Sequence, residues 1–280
     1  MKKVFLSAAA LIIGAIGFAQ NNDSDVDQNG SGNSAAVVQS GTNHDSDVEQ
    51  SGDDHIAEVT QSGSPSNTSE VYQRLGNSNE AYVTQTGKNS NSYILQEGSD
   101  NISTVLQRPV WLHDSHVEQI GDRNDSYVEQ RGNNDWSEVY QTGDDNTSSV
   151  DQGIGSDGYS YVEQTGDLNE STVNQIGASN STVFQIGDSN ISTVDQSGAN
   201  ISLVDQSGNS NMSEVFQGGP TGAHLVGSGN NSTVYQTGDF NDSFVNQYGD
   251  NNMSTVNQTG NSHVSTVDQI GNGNTSTVSQ

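Results

Sequence analysis

Asn169-Glu170-Ser171-Thr172-Val173-Asn174-Gln175-Ile176-Gly177 and Asn190-Ile191-Ser192-Thr193-Val194-Asp195-Gln196-Ser197-Gly198 share one pattern, Asn-x-Ser-x-Val-x-Gln-x-Gly. The shared residues are spaced by two, so in an extended chain Asn, Ser, Val and Gln project to one side and the variable residues to the other. A constant face opposite a variable one is the pattern of a strand buried on one side. The stretch that follows, such as Ile176-Gly177-Ala178-Ser179, supplies a turn, with Gly for backbone freedom. Each copy reads as one strand and one turn.

The motif's glutamine recurs at Gln28, Gln39, Gln50, Gln61, Gln73, Gln85, Gln96, Gln107, Gln119, Gln130, Gln141 and Gln152. It continues at Gln164, Gln175, Gln185, Gln196, Gln206, Gln217, Gln236, Gln247, Gln258, Gln269 and Gln280, making 23 copies, mostly 11 residues apart. Such a period marks a repeat architecture. Two residues before each glutamine stands Val, with Ile94 as the exception, and four before it stands Ser, with Ala35, Ala57 and Ala81 as exceptions. An 11-residue period also suits a right-handed helical supercoil, but that needs several apolar seam positions per repeat. Here one large apolar residue recurs, among Gly, Ser and Asn, which are poor helix interiors. The helix is rejected.

One strand-turn unit cannot bury its inner face alone. Two units folded together give a coil of about 22 residues, and stacked coils give two facing parallel sheets at the strand spacing of about 4.7–4.9 Å. The expected fold is an all-β solenoid of amyloid-like cross-β character. Its inward valines are Val26, Val48, Val71, Val105, Val128, Val150, Val173, Val183, Val194, Val204, Val215, Val234, Val245, Val256, Val267 and Val278. The inward glutamines are expected to bond to one another up and down the stack. The turn glycines are Gly30, Gly41, Gly52, Gly87, Gly121, Gly143, Gly166, Gly177, Gly187, Gly198, Gly208, Gly238, Gly249, Gly260 and Gly271. Of the 15 aromatics after residue 19, none falls in an inward column and ten fall at outward strand positions, so the interior is thin. Irregular copies lie near 108–114, 153–159 and 218–231. The last contains a 19-residue step, read either as an inserted loop or, preferentially, as a degenerate copy with Val226 in the Val column and Ser228 in the Gln column. The second reading gives 24 units.

Lys2 and Lys3, an apolar run from Ala8 to Phe18 and small residues at Gly17 and Ala19 read as a secretory signal, 1–19, cleaved after Ala19. Residues 20–280 then form a single solenoid domain of a secreted, extracellular protein. The apolar run is shorter than the roughly 20 residues a membrane span needs, and no transmembrane segment is expected. There is no cysteine. Without the two leading lysines, Arg74, Lys88, Arg108, Arg123 and Arg131 face 35 acidic residues, which argues against nucleic acid as a partner. The first copy starts at Asn22 and the last stops on Thr277-Val278-Ser279-Gln280, so open strand edges and head-to-tail addition are expected at both tips.

Gln164-Thr165-Gly166-Asp167-Leu168-Asn169-Glu170-Ser171 running to Gln175, and Gln236-Thr237-Gly238-Asp239-Phe240-Asn241-Asp242-Ser243 running to Gln247, resemble the curlin repeat with Ser in place of its Ala. The resemblance spans about residues 22–280. It implies a subunit of curli-like amyloid fibres, a fimbrium-like surface structure for adhesion and biofilm matrix. Its implied partners are further copies of itself, a nucleator subunit, and an outer-membrane secretion pore with accessory chaperones of the Gram-negative type. The chain departs from the family in carrying more repeats.

Other signals are weak. The repeat register itself creates the Asn-x-Ser triplets. His44, His55, His113 and His263 occupy the Asn column and read as turn substitutes rather than metal ligands. Asp23-x-Asp25-x-Asp27 lacks the Gly and Glu of a calcium loop, and calcium bridging by acidic rows stays open. No catalytic residue, metal site or cofactor is assigned, and an enzyme is not expected. A monomeric solenoid adhesin, or an ice- or carbohydrate-binding protein, is the competing reading.

Overall fold

The computed structural model describes residues 21–63, 65–109, 111–155, 157–218 and 227–280; the expected signal lies outside them. Each motif copy forms a strand because Val and Thr suit a pleated, half-buried surface and its Gly breaks the extended run. The strands are β1 (Asp23–Asn29), β2 (Ser34–Gly41), β3 (Asp45–Asp53), β4 (Ile56–Gly63), β5 (Thr68–Asn77), β6 (Glu80–Gln85), β7 (Asn91–Glu97) and β8 (Ile102–Gln107). There follow β9 (Asp114–Ile120), β10 (Asp125–Gln130), β11 (Trp136–Thr142), β12 (Thr147–Gln152), β13 (Tyr159–Thr165), β14 (Glu170–Ile176), β15 (Asn180–Ile186) and β16 (Ile191–Ser197). The last are β17 (Ile201–Ser207), β18 (Met212–Gln217), β19 (Asn231–Thr237), β20 (Asp242–Tyr248), β21 (Met253–Thr259), β22 (Val264–Ile270) and β23 (Thr275–Ser279).

Odd-numbered strands make one 12-stranded parallel sheet and even-numbered strands an 11-stranded one. Consecutive strands therefore alternate between facing sheets, giving a β-solenoid of about 22 residues per turn. Like columns stack throughout: between β13 and β15, Ser160 faces Ser181, Val162 faces Val183 and Gln164 faces Gln185. A slip by one residue would turn the whole inward set to solvent, so the alternation fixes the register. Where Arg74-Leu75-Gly76 inserts a residue, the β3–β5 register shifts after Ser51 and Leu75 bulges outward with φ 54°.

The degenerate copy is corrected. β17 pairs with β19, and β18 with β20, with no intervening strand. An extra strand would take the odd-sheet slot above β17 and push β19 into the even sheet. Ser228 instead lies outside any strand, its N–H donating to Asp250 Oδ1 at 3.0 Å. Val226 lies outside the described residues. The described chain thus has 23 strands, not 24.

All three irregular segments, 108–114, 153–159 and 218–231, connect an even strand to the next odd one, so they share one edge of the solenoid. The opposite edge carries an unbroken column from Asn33 to His263, each backbone N–H donating to the side chain one coil earlier, as in Asn124 N–H to Asn101 Oδ1 at 2.9 Å.

Candidate functional site

The chemistry of this protein lies in its stacked columns. The inward glutamines from Gln39 to Gln258 each donate at least twice through Nε2: Gln164 bonds Gln185 Oε1 of the next coil at 2.8 Å and the Thr147 carbonyl of the facing sheet at 3.0 Å. The first bond follows from the period. The second, which ties the two sheets together, needs the coil's width and is invisible in a linear pattern. Both amide protons and the oxygen are used, removing the cost of about 1–3 kcal/mol for each buried group left unpaired. Every Nε2 points toward the higher-numbered coil, from Gln28 to Gln50 at one tip through to Gln258 and Gln280 at the other, so the ladder has a direction.

Of the inward glutamines, Gln50 through Gln269 are buried, excluding none between them; Gln28 and Gln39 are half-buried and Gln280 exposed, because the stack ends there. The inward valines from Val48 to Val267 are buried, while Val26 and Val278 are partly covered at the tips. A fully buried valine contributes roughly 1.5–3 kcal/mol. All the assigned turn glycines except Gly87 take positive φ. At Gly121, φ is 123° and a Cβ would stand 2.0 Å from the Gly143 carbonyl oxygen of the next coil, so only glycine allows this approach. Gly87 is the exception, in a turn where Lys88 forms a bridge with Trp111.

The Asn column joins backbone to backbone: Asn124 Nδ2 also donates to the Gly143 carbonyl at 2.7 Å. His44 and His55 keep the column going, their Nδ1 atoms accepting from Asn67 and Asn79 N–H at 3.2 Å. On the irregular edge the column reads Ser90, His113, Asp135, Gly158 and Ser179 in succession. Asp135 is buried, and its carboxyl accepts from Gly132 N–H at 2.8 Å and Gly158 N–H at 3.2 Å. Burial pushes its pKa up to about 6 and that of buried His113 down to about 4. At neutral pH His113 is therefore uncharged, and its Nδ1, 3.8 Å from Asp135 Oδ2, supplies no counter-charge.

In the inward Ser column, by contrast, Ser46, Ser137, Ser181 and thirteen like them bury a hydroxyl with no hydrogen-bond partner among the described residues. A hydroxyl has one oxygen, which repeats at the coil spacing and reaches its copy only where Ser265 Oγ donates to Ser243 Oγ at 3.4 Å, whereas the amide carries its donor and acceptor on separate atoms and bridges the gap at every coil. The outer faces carry the variable residues, including acidic rows Asp23, Asp25 and Asp27 paired with Asp45, Asp47 and Glu49. Outward rings on alternate copies meet one another, from Tyr72 to Phe184, a contiguity that column counting did not reveal.

A family model described as the curlin associated repeat matches residues 19–52, 38–63, 52–87, 76–107, 121–153, 138–166, 227–260 and 249–280, more than half of the chain. No curated protein matches it.

Proposed function

Because the chain belongs to the curlin associated repeat family, whose members are structural rather than enzymatic, we propose that it is a subunit of curli-like extracellular fibres that serve adhesion and biofilm matrix. In this reading residues 20–280 act as one exported unit after loss of the signal, and copies add head to tail, with a nucleator and an outer-membrane pore as partners. The observation that carries it is the direction of the glutamine ladder. Among the described residues, Gln269 and Gln280 donate only to the carbonyls of Met253 and Val264, leaving donors at one tip. Gln28 and Gln39 receive no donor within the described residues, leaving acceptors at the other. Donor tip on acceptor tip repeats the bond already made between coils, and edge strands β22 and β23 meet β1 and β2 as further strands. Like tips would oppose donor to donor or acceptor to acceptor.

Purified chain lacking residues 1–19 should assemble into fibres with a cross-β repeat near 4.7–4.8 Å in which all copies point the same way along the axis. A chain that stays monomeric by sedimentation for days overturns the reading.

A further inference from the structure

The outer face of the odd sheet carries a continuous strip of rings over six successive strands, Tyr72, Tyr93, His116, Tyr140, Tyr161 and Phe184. Two neighbouring pairs in it are phenols: Tyr140 and Tyr161, with centroids 5.6 Å apart and planes at 41°, and Tyr72 and Tyr93, at 5.7 Å and 48°. At that spacing ring edges touch. Each member of the first pair donates its hydroxyl to a carboxylate of its own strand, Tyr161 to Glu163 Oε2 at 2.8 Å and Tyr140 to Glu138 Oε2 at 3.2 Å. Tyr72 likewise donates to Asp47 Oδ2 at 3.0 Å. All four rings are half-buried, held by the sheet yet open to solvent on one side.

We propose that these two pairs are oxidative modification sites, at which a peroxidase-class one-electron oxidant joins consecutive coils through dityrosine bonds. Each phenol gives one electron to the oxidant and its proton to the hydrogen-bonded carboxylate or to water. The two phenoxyl radicals couple between ring carbons ortho to the hydroxyls. Each coupled carbon then loses its hydrogen as a proton while the oxygen regains one, restoring both aromatic rings. Overall two electrons and two protons leave the protein, and one hydrogen peroxide takes them up to give two waters. The carboxylates matter because a neutral phenol loses an electron readily only when its proton has somewhere to go. Since the joined residues belong to different coils, each bond would staple the solenoid along its axis, whether or not copies assemble.

The molecule supplies its own control. Tyr82 on β6 and Tyr127 on β10 donate to Glu80 at 2.8 Å and to Glu129 at 2.9 Å, but β8 separates them, with Thr104 between. They have the proton acceptor without the neighbouring phenol. The experiment treats dilute full chain, mixed from isotopically light and heavy preparations, with peroxidase and hydrogen peroxide, then maps linked peptides by tandem mass spectrometry. Expected are single-isotope links Tyr140–Tyr161 and Tyr72–Tyr93, each lighter by two hydrogens. Tyr161→Phe, which keeps the ring and the packing, should abolish the first link and leave the second; Glu163→Gln should lower the yield of the first severalfold. Links that are mostly of mixed isotope, that involve Tyr82 and Tyr127 as often, or that do not form at all overturn the proposal.

Discussion

Asp135→Asn tests the column logic at its weakest point. The residue occupies an Asn position, is 2% exposed, and has only Gly132 and Gly158 N–H groups to hold its charge. Burial moves its pKa from 3.8 to about 6 in the folded chain. A raised carboxyl pKa means that the folded state prefers the neutral acid. Its contribution is fully present below the unfolded value near 3.8 and is lost as pH rises through about 6. A shift of about two units at 1.36 kcal/mol each gives a cost of about 3 kcal/mol at neutral pH. Asparagine has the same shape and no charge, so the variant should be more stable than wild type by about 3 kcal/mol at about pH 7.5 and nearly equal to it at about pH 3.5. Because His113 acts with the opposite sign, losing stability as pH falls from 6.5 through about 4, wild type should be comparatively flat between pH 4 and 6 while the variant declines on acidification. Urea unfolding of dilute monomer across that range measures both. An equal gain at both ends of the pH range, or none at about pH 7.5, refutes the desolvation argument.

Gln185→Met keeps the volume but orphans the Glu170 carbonyl, Gln206 Oε1 and Gln164 Nε2, and should cost about 3 kcal/mol or more by urea unfolding; a loss below about 1 kcal/mol would mean the ladder contributes little. Gly121→Ala places a methyl into the Gly143 carbonyl at a φ that L residues avoid, and should cost about 3 kcal/mol or more; wild-type stability would contradict the close approach. Ser181→Ala removes a buried hydroxyl without a partner from a column that already holds Ala57 and Ala81, and should stabilise the chain by about 1 kcal/mol; destabilisation would show that the hydroxyl is bonded.

The fold was legible because spacing by two and spacing by 11 are independent of atomic detail: Val183 and Gln185 could be set on one face by counting. What counting could not supply was occupancy. Val226-x-Ser228 has the spacing of a strand, yet whether a segment enters the sheet depends on the slot between β17 and β19, and that slot is closed by their direct pairing. Nor could spacing show that the irregular copies gather on one edge, since that depends on which sheet each strand joins. The same ignorance hid the ring strip: Tyr140 and Tyr161 stand 21 residues apart in different outward columns and meet only diagonally across β11 and β13. The Asp135 penalty was also silent, because Asp and Asn look alike in a turn until burial separates them.

A globular core seldom tolerates so many buried amides, because each would need a partner placed for it alone. Translation supplies that partner here: whatever Gln164 requires of Gln185, Gln185 requires of Gln206, and the same geometry answers both. The arrangement has a corollary. A hydrogen-bond ladder that runs in one direction cannot close on itself, so however many coils a chain contains, one end keeps a donor and the other an acceptor. Lengthening the chain moves the unsatisfied groups apart without removing them. Water can satisfy them while they stay exposed, but within protein only a cap of different chemistry or another ladder of the same direction does so, and the second needs no new interface. On this argument the polymerisation proposed above is the same step as stacking a coil, and it should tolerate changes on the variable outer faces far better than changes in the inward columns.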